Sequence, residues 1–237
     1  MDWQRYKGPV LRYVERQSQI TTSELVDSQA DQVRLEELLE DSKPPIGDAQ
    51  GLHWLMRSPF RYPPLPYGSR FGRRHERGIF YASETLTALE AEAAFYSFKF
   101  FQDMAVPPPS PIRREFTVIR AKLSTDRLVD ISAHPDVDLF VDPQSWGHSQ
   151  PFGTQVRAAG ADAIRFPSAL VPDATRSQNC NLAVFTPSAL GRQGAPEIYG
   201  ACTTVTDHTG VRLQGYLKQT QYYSADLLRP CSWESGG

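Results

Sequence analysis

Three stretches of this 237-residue chain carry residue types that can do chemistry. The first is Tyr67-Gly-Ser-Arg-Phe-Gly72, where one arginine lies between two glycines. Glycines let backbone N–H groups approach an anion, and Arg70 offers a planar five-donor fork suited to phosphate or carboxylate. The plainer reading is a surface arginine in a turn. In the second stretch a strand-like Gly-Ile-Phe-Tyr-Ala-Ser feeds Thr-Ala-Leu-Glu-Ala-Glu-Ala-Ala-Phe-Tyr. Glu92, eleven residues beyond Tyr81, shares a helix face with Leu89 and Tyr96. A carboxylate on such a face is either a solvated edge residue or a desolvated functional acid, and spacing alone favours the former. The third stretch is Gly160-Ala-Asp-Ala-Ile-Arg-Phe-Pro-Ser168, followed by Asn181-Leu-Ala-Val-Phe185. It puts a serine just past a strand end, behind a proline that stiffens the turn. Ser168 is there a plain turn serine or a neutral donor and acceptor for a ligand.

The elements that must hold these residues form a mixed α+β pattern. Ile79–Ala82 predicts a buried strand, and Ser83 or Thr85 can cap a helix whose apolar side carries Leu86, Leu89, Ala93 and Tyr96. Further strands are predicted at Phe116–Leu123, Leu128–Ile131, Ala163–Phe166, Leu182–Phe185, Ile198–Val205 and Val211–Tyr216, with a short helix over 151–159 ending at Gly160. From His53 to Gly78 the chain is dense in Arg, Pro, Gly and aromatic residues without periodicity, which predicts a long ordered loop or a series of turns. The first 45 residues differ. Thr21 and Glu24 form a capping box ahead of a helical stretch to about Glu40, with Leu25, Val33, Leu38 and Leu39 as its apolar stripe. Residues 1–45 are expected as an N-terminal helical extension packed on a main domain over 46–237, with a partner-binding arm as the other option.

Composition removes several function classes. The net charge is −2 with 22% charged and 40% apolar residues, so there is no bulk pull toward nucleic acid or an anionic membrane. No apolar run reaches the roughly 18 residues of a membrane span, and Met-Asp-Trp-Gln-Arg-Tyr-Lys has no signal-like apolar stretch. Cys180, Cys202 and Cys231 form no CxxC pair, which argues against a disulfide framework or zinc site and fits a reducing cytoplasm. Neither GxGxxG after a strand nor GxxxxGK[ST] occurs, HExxH and GxSxG are absent, and the five histidines are scattered. The basic run from Arg73 to Arg77 reads as a solvated loop tip.

The pieces that remain, GSRFG, IFYAS, TALEAEAAFY and GADAIRFPS with NLAVF, resemble in this order the RES domain family, named for an Arg, a Glu and a Ser. The resemblance runs from about His53 to Phe185. It places the family's arginine on Arg70, its tyrosine on Tyr81, its glutamate on Glu92 and its serine on Ser168. The family pattern is closer to TALAE, and TALEAE here carries two candidates; the following Phe95-Tyr96 selects Glu92, with Glu90 as the fallback.

What the resemblance implies is an ADP-ribosyltransferase-like twisted sheet with peripheral helices, and a toxin of a bacterial toxin–antitoxin pair. Its substrate would be NAD+, with no metal. The nicotinamide–ribose bond would be cleaved with water or phosphate as acceptor, or ADP-ribose passed to a protein; an inactive RES-like module acting through a partner is the third option. Glu92 would stabilise the sugar cation, Arg70 would hold pyrophosphate with Arg57 or Arg61 as helpers, Tyr81 would meet the nicotinamide ribose, and Ser168 would orient the ribose or carboxamide. The expected partner is a helix-turn-helix antitoxin of the Xre type. Self-association is compatible with this reading, and no direct nucleic-acid or membrane contact is expected.

Overall fold

The computed structural model describes residues 2–16, 26–62, 66–106, 108–171, 173–191, 194–215 and 219–228. In chain order the elements are β1 (Gln4–Glu15), α1 (Gln29–Asp41), α2 (Trp54–Arg61), β2 (Phe80–Ser83), α3 (Leu86–Gln102), β3 (Ile112–Asp130), α4 (Val137–Val141), α5 (Ser149–Ala158), β4 (Ala163–Pro167), α6 (Asp173–Arg176), β5 (Cys180–Val184), β6 (Glu197–Asp207), β7 (Gly210–Gln214), β8 (Thr220–Ser224) and α7 (Ala225–Leu228). The fold is mixed α+β, as the sequence predicts. Its strands form one sheet in the order β1-β2-β5-β4-β3-β6-β7-β8, and β1 also pairs with β3. The first five strands thereby close into a ring. β1 meets β2 at Leu11↔Ser83 on one edge and runs antiparallel to β3 on the other. The β3–β4 pair is parallel.

Two sequence expectations need correction. The N-terminal segment is not helical throughout: Gln4–Glu15 is a strand that buries Val10 and Leu11 in the core. Gly8-Pro9 interrupts the alternation that would have disclosed it. Proline is tolerated because, among the described residues, β2 touches β1 at Leu11 alone, so near Pro9 one edge of the strand has no described ladder to supply. The helix of this segment begins at Gln29, capped by Ser28, whose Oγ accepts from the Asp31 N–H at 3.1 Å. The capping box at Thr21 and Glu24, with Leu25, lies outside the described residues. The second correction is α2, which occupies the start of the expected loop. Met56 and Phe60, four apart, bury one side of it, and Phe60 stacks on Phe80 with centroids 6.2 Å apart. Pro59 inside the helix is what hid it.

The pleat of the central strands decides which side chains face the site. Phe80 and Ala82 of β2 and Leu182 and Val184 of β5 enter one core cluster. Ile79, Ala183, Ile164 and Phe166 enter another on the opposite face, with Tyr81 packed against it. Ser83 pairs directly with Asn181, and Asn181 with Phe166. Residues directly opposite in a sheet share a face, so Tyr81, Ser83, Asn181 and Phe166 project together.

Candidate active site

Above that face lies a cavity of about 300 Å³. Its floor is Tyr81, Ser83, Phe166 and Asn181, one wall is Leu89, Glu92, Ala93 and Tyr96 of α3, and Arg70, Arg12 and Arg114 also reach it. The α3 wall is the helix face that the sequence predicts as apolar. Thr85 rather than Ser83 caps this helix, its Oγ1 accepting from the Ala88 N–H at 3.2 Å. Ser83 is left free to serve the site.

Glu92 is half-buried and held from two sides. Asn181 Nδ2 donates to its Oε1 at 2.8 Å, and the fully buried Ser168 hydrogen-bonds the same carboxylate. Ser83 Oγ donates to Asn181 Oδ1 at 2.6 Å, which turns the amide N–H toward the acid. Burial pushes the Glu92 carboxyl above the usual carboxylate range; the Arg70 charge and the bonds from Asn181 and Ser168 pull the other way. The carboxylate is thus desolvated yet supplied with donors for its ionised form.

Arg70 is 8% exposed and sits at the tip of a tight loop. Ser69 and Gly72 exchange backbone bonds at 2.7 and 3.2 Å, and Gly68 has φ +81, a conformation that glycine adopts without strain. Phe71 turns inward against Phe166 at 4.9 Å, while Arg70 turns to the cavity. Its Nη1 donates to the Asp142 carbonyl at 2.7 Å, just past the end of α4. From α5, Gln150 Nε2 donates to Tyr67 O at 2.8 Å, and Gly153 packs so closely that a Cβ would lie 2.1 Å from Phe71 O.

Tyr81 binds this loop too. Its hydroxyl donates to Ser69 Oγ at 3.0 Å and accepts from the Phe71 N–H at 3.1 Å, on either side of Arg70. Burial raises its phenol above the usual value. The geometry therefore makes Tyr81 a positioning residue for Arg70, with its ring as cavity wall. Ser168 likewise stands behind Glu92, where it supports the carboxylate. Arg57 and Arg61 do not reach the cavity: they share the α2 face turned toward α1, where Arg61 pairs with Glu40 at 2.6 Å. Glu90 points away from Glu92 to the β8 side of α3 and is bonded by Gln221 Nε2 at 2.9 Å.

A model of the RES domain matches residues 45–201. The chain belongs to the RES domain family. Arg70, Tyr81, Glu92 and Ser168 all fall inside the matched segment, so the RES pattern and the cavity coincide. Among solved structures, a chain from the crystal structure of the M. tuberculosis MbcT–MbcA toxin–antitoxin complex is similar at a TM-score of 0.42 and 10% identity, over 96% of this chain and 90% of that one. No curated protein matches the chain.

The RES pattern leaves out part of the site. Arg12, on β1, lies outside the matched segment, yet it lines the cavity and donates Nη1 to Tyr81 O at 2.6 Å. Burial without a compensating carboxylate draws its guanidinium down to about 10, so it stays charged at neutral pH. No local signal in Leu11-Arg12-Tyr13 marks it; only the pairing of β1 with β2 and β3 brings it here. Arg114 is bound bidentately by Glu15 at 2.7 and 2.8 Å and closes the far wall. Asn181 was legible as the first residue of NLAVF, but its role depends on the register with Ser83.

Proposed function

We propose that this RES domain consumes NAD+, cleaving the nicotinamide–ribose bond with water or phosphate as acceptor. The observation that carries the reading is a desolvated carboxylate, Glu92, sharing one cavity with the buried guanidinium of Arg70. Nicotinamide leaves NAD+ as a neutral molecule, taking the electron pair of the broken C–N bond, so departure needs no general acid. The charge that needs help is the oxocarbenium-like ribose, and a fixed anion beside it lowers the barrier. The new bond forms from the acceptor oxygen to the same carbon; when water attacks, its proton passes to Glu92 or to solvent. Arg70 and Arg12 supply cations for the diphosphate, Asn181 and Ser168 hold the acid, and Tyr81 holds the Arg70 loop.

Family membership supports a toxin role, with a helix-turn-helix antitoxin as the proposed partner. The reading is tested by following NAD+ with purified protein, with and without phosphate, beside Glu92→Ala and Arg70→Ala. Removing a preorganised charge of this kind costs about 10²–10³ in rate. Stable NAD+ in every sample, with the proteins shown to be folded, overturns it.

A further inference from the structure

A second compartment of about 520 Å³ continues from the cavity, sharing Arg12, Tyr13, Tyr81 and Tyr96 as common walls. Its character is different: α2 contributes Trp54, with Tyr62 just past its end, and Trp146 lies across from a separate segment of the chain. Trp54 is 58% exposed and Tyr62 41% exposed, although the helix that runs between them buries Met56 and Phe60 on its other side. The helix repeat explains this, since 54, 55, 58, 59 and 62 fall on one face and 56 and 60 on another. Two large rings turned toward an open cleft lose the burial they would otherwise gain, which is the mark of a surface kept for a flat ligand.

We propose that this compartment is a purine-base subsite, which holds the adenine end of the dinucleotide by its faces. The inference rests on the NAD+ reading above and extends it along the substrate. The order of chemistry in the cleft matches the order of groups in the ligand: a carboxylate for the sugar at Glu92, the Arg12 guanidinium at the junction for the diphosphate, then aromatic rings for the base. Three of the cleft's polar side chains, Ser58, Ser69 and Glu15, are already engaged. Ser58 Oγ donates to Trp54 O at 2.7 Å, Ser69 Oγ accepts from Tyr81, and Glu15 is paired with Arg114. Recognition therefore falls to stacking, which tolerates changes at the base edge.

Calorimetric titration of the full chain with ADP and with inorganic pyrophosphate tests this without requiring turnover. ADP should bind wild type more tightly than pyrophosphate, and Trp54→Ala should weaken ADP by on the order of 10-fold or more while leaving pyrophosphate unchanged. Tyr62→Ala, also at an exposed position, should act in the same direction. In turnover assays the hypoxanthine analogue of NAD+ should be consumed as readily as NAD+ itself. ADP and pyrophosphate binding wild type alike, or ADP binding indifferent to both substitutions, overturns the subsite even where NAD+ is consumed. The ADP preference without NAD+ loss leaves the subsite standing and removes the cleavage reading.

Discussion

The side-chain amide of Asn181 donates to Glu92 Oε1 at 2.8 Å, and the amide is held in that orientation because Ser83 donates to its oxygen at 2.6 Å. A strand residue and its cross-strand neighbour thus support the ionised form of a helix carboxylate from behind, against the burial that disfavours it. Asn181→Ala should lower the NAD+ cleavage rate by about 10-fold to 100-fold. It should also move the acidic limb of the rate profile upward, because a donor to the charged form has gone. The pH dependence of kcat/KM checks this: a slower enzyme with an unmoved limb would place Asn181 elsewhere in the reaction.

Glu92 itself should be costly to stability at neutral pH. Burial raises its carboxyl in the folded state despite the opposing charge of Arg70. A group with a raised folded pKa contributes stability that is complete below the unfolded pKa and is lost as pH rises through the folded one. Glu92→Gln should therefore melt above wild type at neutral pH, with the gap closing toward about pH 4, the unfolded carboxylate value. Thermal melts at the two pH values, beside the NAD+ assay in which this variant should be inactive, measure both sides. A Tm at or below wild type at neutral pH would contradict the assigned burial.

How much of this was legible in the sequence depended on the range of the interaction. Local signals located β2, α3, β4 and β5, because alternation, a threonine cap and the Gly160 turn are each decided within a few residues. The Arg70–Glu92 pairing came from ordered motifs. Arg12 was invisible, since it reaches the cavity only when β1 pairs with strands about 70 and 110 residues away in sequence. Arg57 and Arg61 were misplaced for a related reason: proximity to Arg70 in sequence said nothing about which face of α2 they share. The two glutamates of TALEAE are told apart in sequence by the following Phe95-Tyr96 alone, and in the fold by their tertiary neighbours, Asn181 for Glu92 and Gln221 for Glu90.

Tyr81 should matter through its hydroxyl. Tyr81→Phe keeps the ring in the cavity wall but removes the bonds to Ser69 Oγ and to the Phe71 N–H. An unsatisfied buried N–H costs about 1–3 kcal/mol, so the loop should loosen around Arg70. The expected result is a lower Tm together with a raised KM for NAD+, since the proposed role of Arg70 is binding. A change in kcat alone, with KM and Tm unaffected, would instead make the phenol a participant in the chemistry.

Gly153 offers a test from the opposite side of the same loop. A Cβ there would meet Phe71 O at 2.1 Å, and that atom is backbone that cannot rotate away. Gly153→Ala must push α5 or the loop aside and should destabilise the fold by about 1–3 kcal/mol. Arg70 moves with Phe71, so NAD+ turnover should fall in protein that is still folded. Denaturant melts and kinetics on the same preparation separate the effects; full activity with lowered stability would show that the loop absorbs the shift without moving Arg70.

The last prediction separates the two acids on α3. Residues two apart on a helix project about 200° from one another, which puts Glu92 in the cavity and Glu90 against β8. There Gln221 Nε2 donates to Glu90 Oε2 at 2.9 Å, and Tyr223 in turn donates to Gln221 Oε1 at 2.7 Å. Glu90 is 8% exposed, and burial raises its carboxyl, so its ionised form also works against folding as pH rises. A glutamine at this position can still accept from Gln221 and carries no charge to desolvate. Glu90→Gln should therefore melt above wild type at neutral pH and retain NAD+ turnover, where Glu92→Gln loses it. Loss of turnover in Glu90→Gln, in protein at least as stable as wild type, would move the chemistry to the other face of the helix and overturn the assignment of Glu92.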